Sequence, residues 1–161
     1  MSRFLIDLEF SKKYEEHFAE LLDLCFLNSR CDDKGVDLYR DNIFVDVKCY
    51  SKPVFVKNFN GVFLETFRRK SKTAGWYCDD TKKTTHYLFV IDCDRYNIDY
   101  KEAIYISRRN LVKCVVDCRT SGFLEYKQPE KSDFGIIVPY DFLKKYCDFT
   151  IKGDVIYEKE K

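Results

Sequence analysis

The sequence predicts a single α/β domain spanning residues 1–161, in which a mixed β-sheet is flanked by helices. Three observations lead to this class. The N-terminal region carries apolar residues at helical spacing, residues 86–92 contain the unbroken apolar run of a buried central strand, and the C-terminal third alternates strand-like with helix-like segments. With 45% hydrophobic residues, 6 glycines and 3 prolines, the chain has ample material for one core and few candidate linkers.

The first element is predicted to be a helix over 11–26, with Ser11 as its N-cap. Its apolar residues recur at helical spacing on one face: Tyr14, Phe18, Leu21, Leu22 and Cys25. A three-strand meander is expected to follow this N-terminal helix, with strands at 35–40, 43–50 and 62–67. The turn signals Asp41-Asn42 and Asn60-Gly61 precede the second and third of these strands.

The rest of the chain is expected to complete the sheet with strand–helix pairs. The central strand at 86–92 is followed by a strand at 103–106 and a helix at 108–118. After a loop at 121–133, the pattern predicts a strand at 134–138, a helix at 141–147 and an edge strand at 155–157.

Composition narrows the class of protein. No apolar run approaches the ~20 residues that a membrane span needs, and residues 1–9 lack the basic-then-apolar pattern of a secretory signal, so a cytoplasmic protein without membrane contact is expected. The eight cysteines lie in apolar segments and are interpreted as reduced core residues. Only Cys114 and Cys118 approach the spacing of zinc ligands, which makes structural zinc a minor alternative.

Charge is distributed in adjacent blocks, although the net charge is only +1. Residues 15–46 contain nine acids against three bases, whereas residues 47–78 contain seven bases against Glu65 alone. A cation-binding centre beside a phosphate-binding surface would produce this asymmetry, and so would ordinary solvated charge.

The stretch Gly-Val-Asp-Leu-Tyr-Arg-Asp-Asn-Ile-Phe-Val-Asp-Val-Lys at 35–48 carries the chemistry. Asp46 and Lys48 are two apart in one predicted strand and so project from the same face, and a tight turn brings Asp37 of the preceding strand close to Asp46. Paired carboxylates hold Mg²⁺, which polarises a phosphoryl oxygen and acidifies a water. A neighbouring lysine orients that water and offsets developing charge.

Asp37 followed nine residues later by Asp46-Val47-Lys48 resembles the signature of the PD-(D/E)XK nucleases, a superfamily that includes restriction endonucleases, phage exonucleases and archaeal Holliday-junction resolvases. Ser-Lys-Lys-Tyr-Glu at 11–15 is similar to the resolvase helix and assigns its acid to Glu15. Phe63-Leu64-Glu65, the later Gly75-Trp76 and the stretch GIIVPYDFL at 135–143 are similar to small phage members. Two departures are Val36, where Pro is usual, and Asp46, where Glu is common.

The resemblance implies a restriction-endonuclease-like fold and a deoxyribonuclease dependent on Mg²⁺ or Mn²⁺, of phage or mobile-element origin and acting in the host cytoplasm. Asp37 and Asp46 would be the metal ligands, Lys48 would position the water, and Glu15 and Glu65 would be further catalytic acids. The partner would be DNA, and a homodimer is compatible with the chain's size. The basic run is expected to contact DNA phosphates through Arg68, Arg69, Lys70 and Lys72.

Several alternatives remain open at the level of sequence. Asp46 and Lys48 would also suit a solvated sheet face, Glu65 could simply pair with Arg68 or Arg69, and Glu16 competes with Glu15. Trp76 suits either base stacking or closure of the core. The alternative function is a catalytically inactive nuclease-fold module that binds nucleic acid or a protein partner.

Overall fold

The computed structural model describes residues 3–27, 35–51, 61–122, 125–127 and 134–159. Within them the helices and strands follow this order: α1 (Arg3–Leu21), β1 (Cys25–Phe26), β2 (Leu38–Arg40), β3 (Ile43–Tyr50), β4 (Gly61–Arg68), β5 (Thr73–Ala74), β6 (His86–Ile91), β7 (Glu102–Ser107), α2 (Arg108–Thr120), β8 (Glu125–Lys127), β9 (Phe134–Pro139), α3 (Tyr140–Lys144), β10 (Phe149–Lys152) and β11 (Val155–Glu158).

The strands form two sheets. The larger has seven strands in the order β1-β2-β3-β6-β7-β10-β11, and the smaller has four in the order β5-β4-β9-β8. Among the described strand pairs, β3 and β6 run parallel and the others run antiparallel. The α/β class with a mixed sheet is therefore confirmed.

Each face of the larger sheet buries its own core. On one face, α1 packs Tyr14 and Phe18, which are one helical turn apart, against Val45, Val47 and neighbouring apolar side chains. On the other face, a second core joins the two sheets and α2. Strand β6 contributes to both cores, because its odd-numbered residues face the smaller sheet and its even-numbered residues face α1.

The predicted three-strand meander is wrong in its third strand. β4 pairs with β5 and β9 in the smaller sheet, and β6 takes the position beside β3. β6 is apolar on both faces and can be buried at the centre of a sheet. β4 instead applies Val62 and Leu64 to the core between the sheets. The expected turn residue Asn60 lies outside the described residues.

Smaller differences concern element ends. Ser11 lies inside α1 and is not its N-cap, and α1 ends at Leu21 rather than near 26. The expected loop at 121–133 contains β8, β10 was not anticipated, and α3 is shorter than the helix expected at 141–147. No helix in the described part of the chain is both long and apolar enough to cross a membrane.

Candidate active site

Strand β3 directs Asp46 and Lys48 to the face that looks toward the smaller sheet. In register with β6, Asp46 lies beside Tyr87 and Lys48 lies beside Phe89. Both aromatic rings belong to the core between the sheets, whereas the intervening Val47 belongs to the core beneath α1. The pair therefore sits at the margin of an apolar core and not on an open, solvated sheet face.

Asp46 is a buried carboxylate whose partners are incomplete. Its side chain is only 2% exposed, and its Oδ1 lies 2.6 Å from Lys48 Nζ. Its Oδ2 is buried and has no hydrogen-bond partner among the described residues. A buried carboxylate oxygen without a partner costs free energy, so this atom offers a strong site for a cation or a water.

Asp37 precedes β2 and is drawn into the same group by the backbone of β3. Its amide donates to Val45 O at 2.8 Å, and its Oδ2 accepts a hydrogen bond from Val47 N at 2.7 Å. The carboxylate thus lies against the backbone between Asp46 and Lys48. Burial raises the pKa of Asp37 to about 8, with the negative charges of Asp46 and Glu15 acting in the same direction.

The acid contributed by α1 is Glu15. Its charge acts on Asp37 and on the thiol of Cys49 in β3, and its side chain is half-buried. Glu16 is exposed, since one residue turns the side chain about 100° around the helix. The structure thus distinguishes the two glutamates that sequence reasoning left as competitors.

Lys48 is the cation at the centre of this acidic group. Burial by itself would lower the pKa of Lys48, but the carboxylates of Asp46 and Asp37 outweigh burial and raise it above its ordinary value. The ammonium also lies 5.1 Å from the centroid of the Trp76 ring. A raised pKa keeps Lys48 protonated at neutral pH, so its side chain carries positive charge and hydrogen-bond donors beside Asp46.

Glu65 sits at the edge of this group and already has partners. Its Oε1 accepts from Arg68 Nε at 2.6 Å and from Trp76 N at 3.3 Å. Its charge nevertheless contributes to the raised pKa of Lys48. The sequence left Glu65 as either an acid of the site or a partner of Arg68 or Arg69. Its contacts include the pair with Arg68, and its charge also acts on nearby Lys48.

Trp76 closes the core and does not present its ring for base stacking. It is 8% exposed and packs against Tyr87 and Phe89, with ring centroids 5.3 and 6.4 Å away. The preceding Gly75 makes this approach possible, because a Cβ there would lie 2.3 Å from Glu65 O. The Gly75-Trp76 pair therefore docks directly on β4 and forms one wall beside Lys48.

Lys82 is a neighbour that sequence reasoning missed. Burial lowers the pKa of Lys82, with the charges of Lys48 and Arg68 acting in the same direction and Asp46 opposing them. The turn that carries it is held by Arg108, which donates to Asp79 O at 3.1 Å and to Lys82 O at 3.4 Å. In the sequence, Lys82 is marked only by its position shortly before the central strand β6.

The basic run is split by the structure. Arg68 ends β4 and is tied to Glu65, so it lies near the site. Arg69, Lys70 and Lys72 are exposed in the turn between β4 and β5. They form an exposed charged surface in that turn, and none of the described ion pairs joins Lys70 or Lys72 to Asp46.

The donor set fits one kind of metal ion better than others. No group of three or more His, Cys, Asp or Glu side chains in the described residues is arranged to hold a metal. The seven cysteines in that part of the chain, including Cys114 and Cys118, form no disulfide there, and none belongs to a group arranged to hold zinc. Mg²⁺ is commonly held by one or two carboxylates together with water and substrate oxygens, and Asp37 with the unpartnered Asp46 Oδ2 fits that requirement.

Comparison with family models, curated proteins and solved structures finds no match to this chain.

Proposed function

We propose that this chain is a DNA nuclease of the PD-(D/E)XK type, which hydrolyses phosphodiester bonds with the help of Mg²⁺ or Mn²⁺. The observation that carries the proposal is the buried, unpartnered Oδ2 of Asp46, next to Asp37 and the protonated Lys48. An ion held by Asp37 and Asp46 would polarise a phosphoryl oxygen and lower the pKa of a water beside it.

The residues of the chain have distinct roles in this proposal. Lys48, fixed between Asp46 and Trp76, directs its ammonium at the water and at the negative charge that develops on phosphorus oxygens. Lys82 and Arg68 bring further positive charge, which lets a polyanion approach an acidic centre. Glu15 lies on the α1 side of Asp37 and strengthens the local demand for a cation.

A binding module without catalysis is the second candidate, and one observation favours it. Two of the carboxylate oxygens in the group are already engaged within the chain, Asp37 Oδ2 by Val47 N and Asp46 Oδ1 by Lys48. If these contacts persist in the presence of metal, the group holds charge in place for nucleic acid or a protein partner without positioning a water.

Nicking of supercoiled plasmid separates the two candidates. The nuclease proposal expects wild-type protein to convert supercoiled to open-circular DNA with Mg²⁺ or Mn²⁺ and to stop in EDTA. Asp46→Asn removes the charge but keeps the shape, and we expect it to lower the rate at least about 100-fold. Asp99→Asn, at an exposed carboxylate, is the matched control and should keep wild-type activity. Equal nicking by Asp46→Asn and wild-type preparations would contradict the proposal.

A further inference from the structure

A second charged feature lies further along the larger sheet from Asp46, beyond β6 and β7. It is a surface cavity of about 640 Å³ between the first turns of α2, the end of α3 and the C-terminal segment. Three of its lining residues are lysines, namely Lys113, Lys145 and Lys159, and they are joined by Asn110, Tyr146 and Asp148. We call this feature the lysine cavity.

The carboxylate of Asp148 does not pair with these lysines. Its Oδ2 accepts from Ser107 N at 2.6 Å and its Oδ1 accepts from Asn110 Nδ2 at 3.0 Å, so it caps the start of α2. No other carboxylate of the described residues forms an ion pair with Lys113, Lys145 or Lys159. Among the described residues the cavity therefore gathers three positive charges without a carboxylate partner. Their contacts are uncharged: Lys159 Nζ donates to Lys145 O, and Lys145 Nζ lies 5.2 Å from the centroid of the Phe142 ring.

Two lysines near the cavity, in contrast, do pair with a carboxylate. Lys144, adjacent to Lys145 on α3, lies 2.7 Å from the buried carboxylate of Glu102. Lys152 lies 3.5 Å from the same carboxylate. The fold thus uses Lys144 and Lys152 to neutralise its own buried acid, whereas the described residues provide no carboxylate for the lysines of the cavity, whose charge can attract an anion.

The strand register relates the cavity to the candidate active site. Asp46 lies beside Tyr87 on β6, and Tyr87 lies beside Ile106 on β7. Asp148, whose amide donates to Tyr105 O at 2.9 Å, directly precedes β10, whose Phe149 lies beside Tyr105 on β7. The cavity is therefore three strand spacings from Asp46, roughly 14 Å. Phosphates of one DNA strand are spaced by ~3.4 Å along the helix axis, so this separation corresponds to about four phosphates.

We propose that the lysine cavity binds the phosphate backbone of a nucleic acid, as a contact separate from the exposed turn at 69–72. Ammonium groups around an open cavity suit phosphate oxygens, which accept hydrogen bonds from several directions and release counterions on binding. Such contacts position the backbone without reading sequence. The proposal concerns binding alone and does not depend on whether the chain cleaves DNA.

The test is a binding measurement on the full chain in EDTA, with a fluorescent DNA duplex followed by anisotropy across a salt series. Lys113→Gln combined with Lys159→Gln should weaken binding about tenfold or more near 0.1 M salt, and should make the log–log salt dependence shallower by up to about 1.8. Lys113→Arg combined with Lys159→Arg keeps the charge and should keep wild-type affinity. Lys101→Gln, at an exposed lysine before β7, controls for loss of charge elsewhere.

Unchanged affinity and slope in the Gln double variant would overturn the proposal. A second arm adds inorganic phosphate without DNA and follows thermal stability. Stabilisation of the wild type by phosphate that the Gln variant lacks, together with unchanged DNA affinity, would assign the cavity to a free phosphate and would also overturn the nucleic-acid proposal. The binding series and the plasmid-nicking assay are independent. If the cavity binds DNA but plasmid is not nicked, only the proposed nuclease function is contradicted.

Discussion

Two buried acids in this molecule have lysine partners, and the difference between them separates structure from chemistry. Glu102 is 4% exposed, and each of its two oxygens faces a lysine, Lys144 at 2.7 Å and Lys152 at 3.5 Å. Asp46 is buried as deeply, but it has one lysine and one oxygen without a partner, and its other close neighbour is the acid Asp37. Both oxygens of the Glu102 carboxylate therefore have a charged partner, whereas one oxygen of the Asp46 carboxylate has no partner among the described residues.

The largest expected effect is on the nicking rate, and it should distinguish Lys48 from Lys144. Lys48→Gln removes the ammonium beside Asp46, and we expect the plasmid-nicking rate to fall about 100- to 1000-fold, because charge stabilisation of this kind is worth ~3–4 kcal/mol in the transition state. Lys144→Gln, at the Glu102 group, should leave the rate within about twofold. Similar losses in both variants would show that the two groups do not differ in function.

The next effect concerns the free energy of unfolding, which should depend more on the Glu102 group than on the Asp46 group. Glu102→Ala strips two lysines of their partner, and we expect the free energy of unfolding to fall by about 2–3 kcal/mol, less than for a fully buried pair because Lys144 and Lys152 are partly exposed. Asp46→Asn removes a charge that raises the pKa of Asp37, so Asp37 can ionise and become the partner of Lys48, and a change within about 1 kcal/mol is expected. Urea unfolding in EDTA measures both, and a larger loss for Asp46→Asn would contradict the comparison.

A pH dependence should mark the Asp46 group. The pKa of Asp37 is about 8 in the fold and near 3.8 without it, so the folded state holds a proton that the unfolded chain releases. Its contribution to stability is fully present below pH 4 and is lost as pH rises toward 8. Asp37→Asn stays neutral, and at pH 8 without metal we expect it to gain about 1 kcal/mol, or about 2–4 °C in Tm.

Thermal melts of the wild type and the Asp37→Asn variant from pH 5 to 8.5 in EDTA test this expectation. The two curves should diverge as pH rises. Melting temperatures that stay parallel over the whole range would mean that Asp37 is ionised in the fold.

The smallest effect is expected in the turn between β4 and β5. Lys70→Ala changes an exposed residue, so stability should move by less than about 0.5 kcal/mol. If the turn contacts DNA, the log–log salt slope of duplex binding should become shallower by about 0.9. An unchanged slope would leave Arg68 as the one member of the basic run with a place near the site.

Local patterns predicted the parts of this site that depend on local geometry. The two-residue interval between Asp46 and Lys48 fixes a shared face, and the tight turn after Arg40 accounts for the position of Asp37 beside β3. Helical periodicity placed Tyr14 and Phe18 in the core, but Glu15 and Glu16 lie near the margin of that face, and packing was needed to distinguish them.

What the sequence could not supply depends on tertiary partners. The alternation in β4 identifies a strand with one apolar face, yet it carries no information about which strand lies beside it, and the meander was the simplest assumption. Lys82 enters the site through a turn held by Arg108, 26 residues later in the chain. The lysine cavity likewise combines residues from two helices and the C-terminal segment, which no spacing rule connects.

Titration calorimetry with Mn²⁺ and with Mg²⁺ tests most directly the claim that the Asp46 group is completed by a cation. We expect the wild-type protein to bind a divalent ion, Asp46→Asn to bind it at least about tenfold more weakly, and Glu102→Gln to bind it as the wild type does. Absence of binding to the wild type, or equal affinity in wild type and Asp46→Asn, would contradict the account.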